Sequence, residues 1–183
     1  MLELKAPIPE AADSALAEQA RAGNRAAFGS LYERYRRTVH GILLSHVSYT
    51  DAEDLMQAVF LKAIERLPDL RNVDAFGGWL TAIARHLAAD HHRSRKNLVE
   101  IDAVKEVASR ENTAHSADSE LALAAIRRLP DAYRETLLLR LVEGMTGPEI
   151  AVQTNLTPDS VRVNLCRGMK LLRAELERKT PHD

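Results

Sequence analysis

Side chains suited to molecular recognition are concentrated near the C-terminus, in TGPEIAVQTNLTPDSVRVNLCRGMKLLR, residues 146–173. Arg162, Asn164, Arg167 and Lys170 lie off an apolar stripe of Val161, Leu165, Gly168, Leu172 and Leu176, which recurs every three or four residues. One face of such a helix packs, and the other is cationic and polar. Arginine can hydrogen-bond bidentately to guanine, asparagine can do so to adenine, and lysine neutralises phosphate, so this face suits the major groove of DNA. An ordinary helical hairpin with a solvated charged face is the competing reading.

A second group is RHLAADHHRSRK, residues 85–96, where Arg85, Arg93, Arg95 and Lys96 face a single acid, Asp90. It could bind phosphate, although bases near a helix C-terminus also complement the helix dipole. His86, His91 and His92 are not joined by acids or cysteines at a familiar ligand spacing, so no metal and no other cofactor is expected. A third group opens the stretch DAEDLMQAVFLKAIERL, in which Asp51, Asp54, Gln57 and part of Phe60 are left for an outward surface if Leu55, Val59, Leu61, Ile64 and Leu67 pack inward. Acids in a first turn complement the dipole, but a polar face carrying a large aromatic also suits a protein partner.

The elements that must position these groups are legible from their ends. Thr146 and Glu149 have capping-box spacing, and Asn155 tolerates the left-handed backbone of a sharp turn. Thr157, Pro158 and Asp159 then start a second helix. Two short helices about a tight turn form a helix-turn-helix, the second entering the groove. Upstream, Asp13 or Ser14 can cap a helix that stops at Gly23, and Asn24 can cap the next, running to about His46 with Phe28, Leu31, Tyr32, Tyr35, Val39, Ile42 and Leu43 on its packed face. Thr50 and Glu53 read as another capping box, Pro68 to Asp74 as a loop, and Ala75 to about Arg95 as a helix anchored by Trp79. Two further helices precede the turned pair, the first broken by Pro130 and the second, through Tyr133, Leu137, Leu138, Leu141 and Val142, ended by Gly144.

With 45% apolar residues, 4% aromatics, 8 glycines and 7 prolines, the 183-residue chain is expected to be all-α. Cys166 is the one cysteine, which excludes an internal disulfide and fits the reducing cytoplasm. The lack of a leader-like start or a long apolar run predicts neither secretion nor membrane insertion. The net charge of −1 is unevenly spread: −2 over residues 1–14, +3 over 15–96, −3 over 97–119 and +1 over 120–183. Two mildly basic blocks thus flank an acidic connector, and so weak a charge argues against tight nonspecific binding to DNA by the chain alone. The expected organisation is a flexible arm (1–12), a first helical domain (13–96), a flexible acidic linker (97–119), a second domain with the helix-turn-helix (120–178) and a tail (179–183).

Taken in order, GNRAAFGSLYERY (23–35), DAEDLMQAVFLKAIERL with FGGWLTAIARHLAADHHR (51–93), and LPDAYRETLLLRLVEGMTGPEIA with its helix-turn-helix (129–173) resemble the extracytoplasmic-function (ECF) bacterial sigma factors, group IV of the sigma-70 family. The resemblance covers roughly residues 14–176 and implies a two-domain promoter-specificity subunit of RNA polymerase. It implies that Asp51, Asp54, Gln57 and Phe60 dock on the β′ clamp helices of core polymerase, with the β flap a second contact of the enzyme. Arg71, Asn72, Asp74, Phe76, Arg85, His86, Arg93 and Arg95 would meet minus-ten DNA, with the loop Leu70 to Phe76 capturing an unstacked base, which stabilises the melted strand. Arg162, Val163, Asn164, Arg167 and Lys170 would read the minus-thirty-five element. An anti-sigma factor is implied as a further partner, and no catalytic residue is needed. Ala58, His86 and Asn155 stand where an acid, an asparagine and a glycine are frequent in the family. Val163 and Asn164 replace its usual small polar and basic pair, so promoter preference does not carry over. The alternative is an autonomous helix-turn-helix repressor that would bind a palindrome without polymerase. An enzyme has no support, since no phosphate loop, metal set or activated nucleophile is found.

Overall fold

The structure, a computed structural model, describes residues 10–101 and 117–178, with side chains described within 13–94 and 121–178. Among these residues there are eight α-helices and no strand: α1 (Glu10–Arg21), α2 (Arg25–Leu44), α3 (Tyr49–Arg66), α4 (Phe76–Ile101), α5 (Ala117–Arg127), α6 (Asp131–Leu141), α7 (Gly147–Thr154) and α8 (Pro158–Glu177). Two short 3-10 turns, Leu67–Asp69 and Val73–Ala75, join α3 to α4.

Helices α1 to α4 form the first bundle. Gly23 at φ 95° ends the α1 segment, and the Asn24 side chain accepts from the amides of Ala26 and Ala27 to start α2. Leu31, Tyr35, Val39, Ile42 and Leu43 of α2 are buried against Ala52, Val59, Phe60 and Ala63 of α3 and Phe76, Leu80, Ala84 and Ala88 of α4. Asp13 does not act as a cap. It lies inside α1, pairs with Arg34 and accepts a 2.8 Å hydrogen bond from the Tyr35 hydroxyl, pinning α1 to α2. The cap of α3 is Ser48 rather than Thr50: its hydroxyl accepts from the Asp51 amide at 3.2 Å. Both hydroxyls have an acid three residues on, and local pattern alone does not separate them.

Helices α5 to α8 form the second bundle. Leu137 and Leu138 join the larger core, while Leu139, Met145, Ile150, Ala151 and Val161 make a small core beneath the α7–α8 turn. Gly168 brings α8 close to α6: a Cβ there would lie 3.1 Å from Leu137 and 3.2 Å from Tyr133. Leu141 and Val142, expected to pack, are exposed, because the packed face of α6 runs through Leu137, Leu138 and Leu139. Glu175 rather than Leu176 continues the buried face of α8, paired with Arg128 and Arg178. Helix α4 continues to Ile101 and α5 begins at Ala117, so helix occupies both ends of the stretch read as linker; residues 102–116 lie outside the described residues.

The two bundles meet along a seam. Helix α2 lies against α6 and α7, and α4 against α7. A Cβ on Gly41 would stand 2.8 Å from Leu139 and 3.1 Å from Glu143, and one on Gly77 would stand 3.0 Å from the carbonyl oxygen of Gln153. The last turn of α2 has no base of its own. Two arginines of the second bundle supply the missing donors: Arg127 reaches the carbonyls of Leu44 (3.2 Å) and Val47 (2.7 Å), and Arg134 reaches that of Ser45 (2.8 Å). They satisfy orphan carbonyls and complement the negative end of the helix dipole. His40 lies 2.6 Å from Glu143, and Thr38 bonds to Gln153.

Candidate nucleic-acid and partner-docking surfaces

The turned pair is built as its end residues dictate. Thr146 accepts from the Glu149 amide while Glu149 accepts from the Thr146 amide at 2.7 Å, completing a capping box at the start of α7. Hydrogen bonding to the Thr146 amide, offset in part by burial, holds the Glu149 carboxyl below its usual range. Asn155 turns the chain at φ 58°, ψ 34°, and Thr157 accepts from the Ser160 amide at 3.1 Å to start α8. Val161 and Leu172 are buried beneath α8, so Arg162, Val163, Arg167 and Lys170 emerge exposed on its other face, with Cys166 among them. Arg162 pairs with its neighbour Asp159, across exposed side chains. Asn164 is half-buried and donates to the Thr136 hydroxyl of α6 at 3.5 Å. Four of the five expected reading residues thus share an open face, and Asn164 is turned toward α6.

On α3, Asp54 and Gln57 are exposed, and Asp51, in the first turn, is half-buried. Phe60 is not on the outward surface: it is 6% exposed, 6.5 Å from the Phe28 ring and 4.6 Å from that of Tyr32. Leu61 and Ile64, expected inside, are 63% and 45% exposed. The reason is the 3.6-residue period: Ala52, Val59, Phe60, Ala63 and Leu67 take the packed face, leaving 54, 57, 61 and 64 as one outer stripe. Two apolar knobs beside Asp54 and Gln57 were missed because Ala52 and Ala63 carry little apolar signal, yet their spacing from Val59 marks the packed face.

In the loop region, Arg71, Asn72 and Asp74 are exposed, with Asn72 accepting from the Asp74 amide and Asp74 accepting from Ser14 at 2.5 Å. Phe76 is not available to a base: it is 1% exposed, packed on Tyr35 (5.3 Å) and Trp79 (5.7 Å) as the first residue of α4. His86 and Arg93 are exposed and both pair with Asp90. Arg95 lies outside the described side chains. Arg85 does not face solvent freely. Its guanidinium forks onto Glu135 of α6, with Nε 2.8 Å from Oε1 and Nη2 2.8 Å from Oε2. The hydrogen bond that Arg85 donates to Glu135 raises the Arg85 pKa against the cost of burial. Burial pushes the Glu135 carboxyl up, but His46 and Arg85 outweigh it and hold it below the usual range. Among the described residues no group of His, Cys, Asp and Glu could hold a metal ion, and no helix is long and apolar enough to cross a membrane.

The family model for Sigma-70 region 2 matches residues 31–98, and that for Sigma-70, region 4 matches residues 119–172, between them more than half of the chain. This chain belongs to the sigma-70 family. Among curated relatives, it is 36% identical over 145 residues to the ECF RNA polymerase sigma factor BldN of Streptomyces coelicolor, an alignment covering 74% of this chain and 55% of that protein. It is 27% identical over 180 residues to the ECF RNA polymerase sigma-E factor of Haemophilus influenzae, covering 90% of this chain and 95% of the relative. Thus this sigma-70 family chain spans about half the length of BldN but nearly all of the sigma-E factor. Among solved structures, CnrH in complex with the cytosolic domain of CnrY matches at a TM-score of 0.59 and 25% identity, over 92% of this chain and 99% of that one. The sigma factor RpoE with the anti-sigma factor NepR from Bartonella quintana matches at 0.53 and 21%, over 84% and 98%, a likeness of fold.

Proposed function

We propose that this chain is a sigma factor: it joins core RNA polymerase, selects promoters by a minus-thirty-five and a minus-ten element, and holds the minus-ten strand open. The observation that carries the reading is the pairing, in one sigma-70 chain, of an exposed reading face on α8 with an exposed docking stripe on α3. Asp54, Gln57, Leu61 and Ile64 would meet the β′ clamp helices, the apolar pair supplying buried area and the polar pair register. On α8, Arg162, Val163, Arg167 and Lys170 would meet minus-thirty-five DNA, with Arg167 suited to a guanine edge. Arg71, Asn72, Asp74, His86 and Arg93 would line the minus-ten side, and Phe76 would support the loop from beneath. The polymerase supplies both catalysis and most of the DNA affinity, which suits a chain of net charge −1. Control by an inhibitory protein belongs to this reading, since the CnrH and RpoE structures are complexes with CnrY and with the anti-sigma factor NepR.

Run-off transcription with purified core polymerase on a genomic promoter library tests the whole reading. Specific initiation that depends on the chain is expected. Tight binding to a palindrome by the chain alone, with no association with core polymerase, would replace it with an autonomous repressor.

A further inference from the structure

Two adjacent residues of α6 each hold a side chain assigned above, or expected from sequence, to DNA. Glu135 takes the fork of Arg85, and Thr136 receives the Asn164 amide. The first belongs to the minus-ten side of the molecule and the second to the minus-thirty-five side, so the seam brings the two readers onto one turn of one helix. The promoter elements, by their names, are centred roughly 25 base pairs apart, on the order of 85 Å at about 3.4 Å per pair. A chain in which α6 touches both α4 and α8 cannot lie on both elements at once, and the α2–α6 and α4–α6 contacts must part before it does.

We propose that the seam is an autoinhibitory contact in which Glu135 stands in for a DNA phosphate on Arg85, keeping the chain closed until a partner opens it. The inference rests on the sigma-factor reading for its biological meaning, but the lock itself is a property of the free chain. The carboxylate offers Arg85 the bidentate acceptor geometry that a phosphate would. Glu135 is also well suited to hold, because it is half-buried and, if Arg85 leaves, keeps only the neighbouring His46 ring, 3.5 Å away, among the side chains it pairs with here, so the departing fork must be replaced by water. Arg127 and Arg134, which reach the end of α2 from the second bundle, add directional bonds that opening must exchange for water. Gly41 and Gly77 let the surfaces approach so closely.

The full chain carries a convenient reporter. Cys166 is exposed on α8, and Ser30→Cys on the exposed side of α2 supplies a second label site. Distances between two spin labels should form one short, narrow population in the otherwise unaltered chain. Glu135→Ala should raise the open population roughly tenfold, and Glu135→Gln less, because it keeps the shape and one acceptor. Arg85→Ala should open the chain to the same extent, and the double variant no further, as required of residues acting as one lock. Helix content measured alongside shows that the variants stay folded. Unchanged distances in both Glu135 variants, an already open parent chain, or fully additive effects of the two alanines would each overturn the lock. Association with core polymerase is measured on the same samples: a faster opening step after capture in Glu135→Ala supports the inference. Opening without any core association, in parent or variant, would leave the lock standing and remove the sigma-factor reading. Core association with unchanged distances would do the reverse.

Discussion

Replacing Gly41 by alanine separates two consequences of one methyl group. In mid-helix, alanine is favoured over glycine by about 0.8–1.0 kcal/mol, and this gain is the same whether the two bundles are together or apart. The new Cβ would lie 2.8 Å from Leu139 Cδ2 and 3.1 Å from Glu143 Cγ, contacts that exist only when α6 is seated on α2. Leu139 is fully buried in the small core under α7 and α8, so its methyl cannot swing into solvent. Overpacking of this kind costs about 1–3 kcal/mol. The propensity gain cancels from the open–closed balance, which should shift toward open by the clash alone, roughly 5- to 150-fold. Small-angle scattering on the full chain should show a larger radius of gyration for Gly41→Ala, and the melting temperature should stay level or fall. A higher melting temperature with an unchanged radius would refute the reasoning, because it would mean that Leu139 yields freely and that the close approach at Gly41 is incidental.

Neighbouring positions on α3 should behave oppositely. Leu61→Asp should leave stability within about 0.5 kcal/mol, since the side chain is exposed, while weakening association with core polymerase at least tenfold in a binding titration. Phe60→Ala should instead cost about 3–5 kcal/mol in a denaturant melt. Arg167→Ala should cost roughly 1–3 kcal/mol at particular base pairs of a minus-thirty-five library if it reads a base edge, and a uniform loss would make it a phosphate contact. The Glu149 carboxyl is held below its ordinary range, so the stability it adds is complete above that range and is lost as pH falls through the lowered value. Glu149→Gln should therefore flatten the acid side of a melting-temperature profile, and an unaltered slope would show that the cap does not couple to folding. At Asn155, held at φ 58°, Asn155→Ala should destabilise by about 1 kcal/mol and Asn155→Gly by less, as thermal melts would show.

The helix-turn-helix is the part most legible in the sequence, because its determinants lie within four residues of one another. Thr146 with Glu149, left-handed Asn155, and Thr157 before Pro158 all take the expected places. Helix identity was readable from periodicity for the same reason. What could not be read depends on residues far apart in the chain. Phe60 and Leu61 are both large and apolar, and only packing on Phe28 and Tyr32, about thirty residues earlier, decides which turns inward. Ser48 and Thr50 offer equivalent caps until the start of α3 is fixed by the bundle. Arg85 reads as a free base in a basic stretch because its acceptor, Glu135, is 50 residues away. A charge count over windows treats such a residue as available when its charge is already met.

The docking stripe on α3 stays uncovered while the seam is shut: Asp54, Gln57, Leu61 and Ile64 are exposed with both bundles in contact. Under the reading proposed here, the order of events follows from that arrangement. Polymerase can capture the closed chain first, and separation of the bundles follows as a step within the complex. Binding traces should then contain a fast phase whose rate grows linearly with polymerase concentration and a slower phase whose rate reaches a plateau. The plateau is the opening rate of the seam, and it is the quantity that substitutions at Gly41 and Glu135 should raise while leaving the first phase alone.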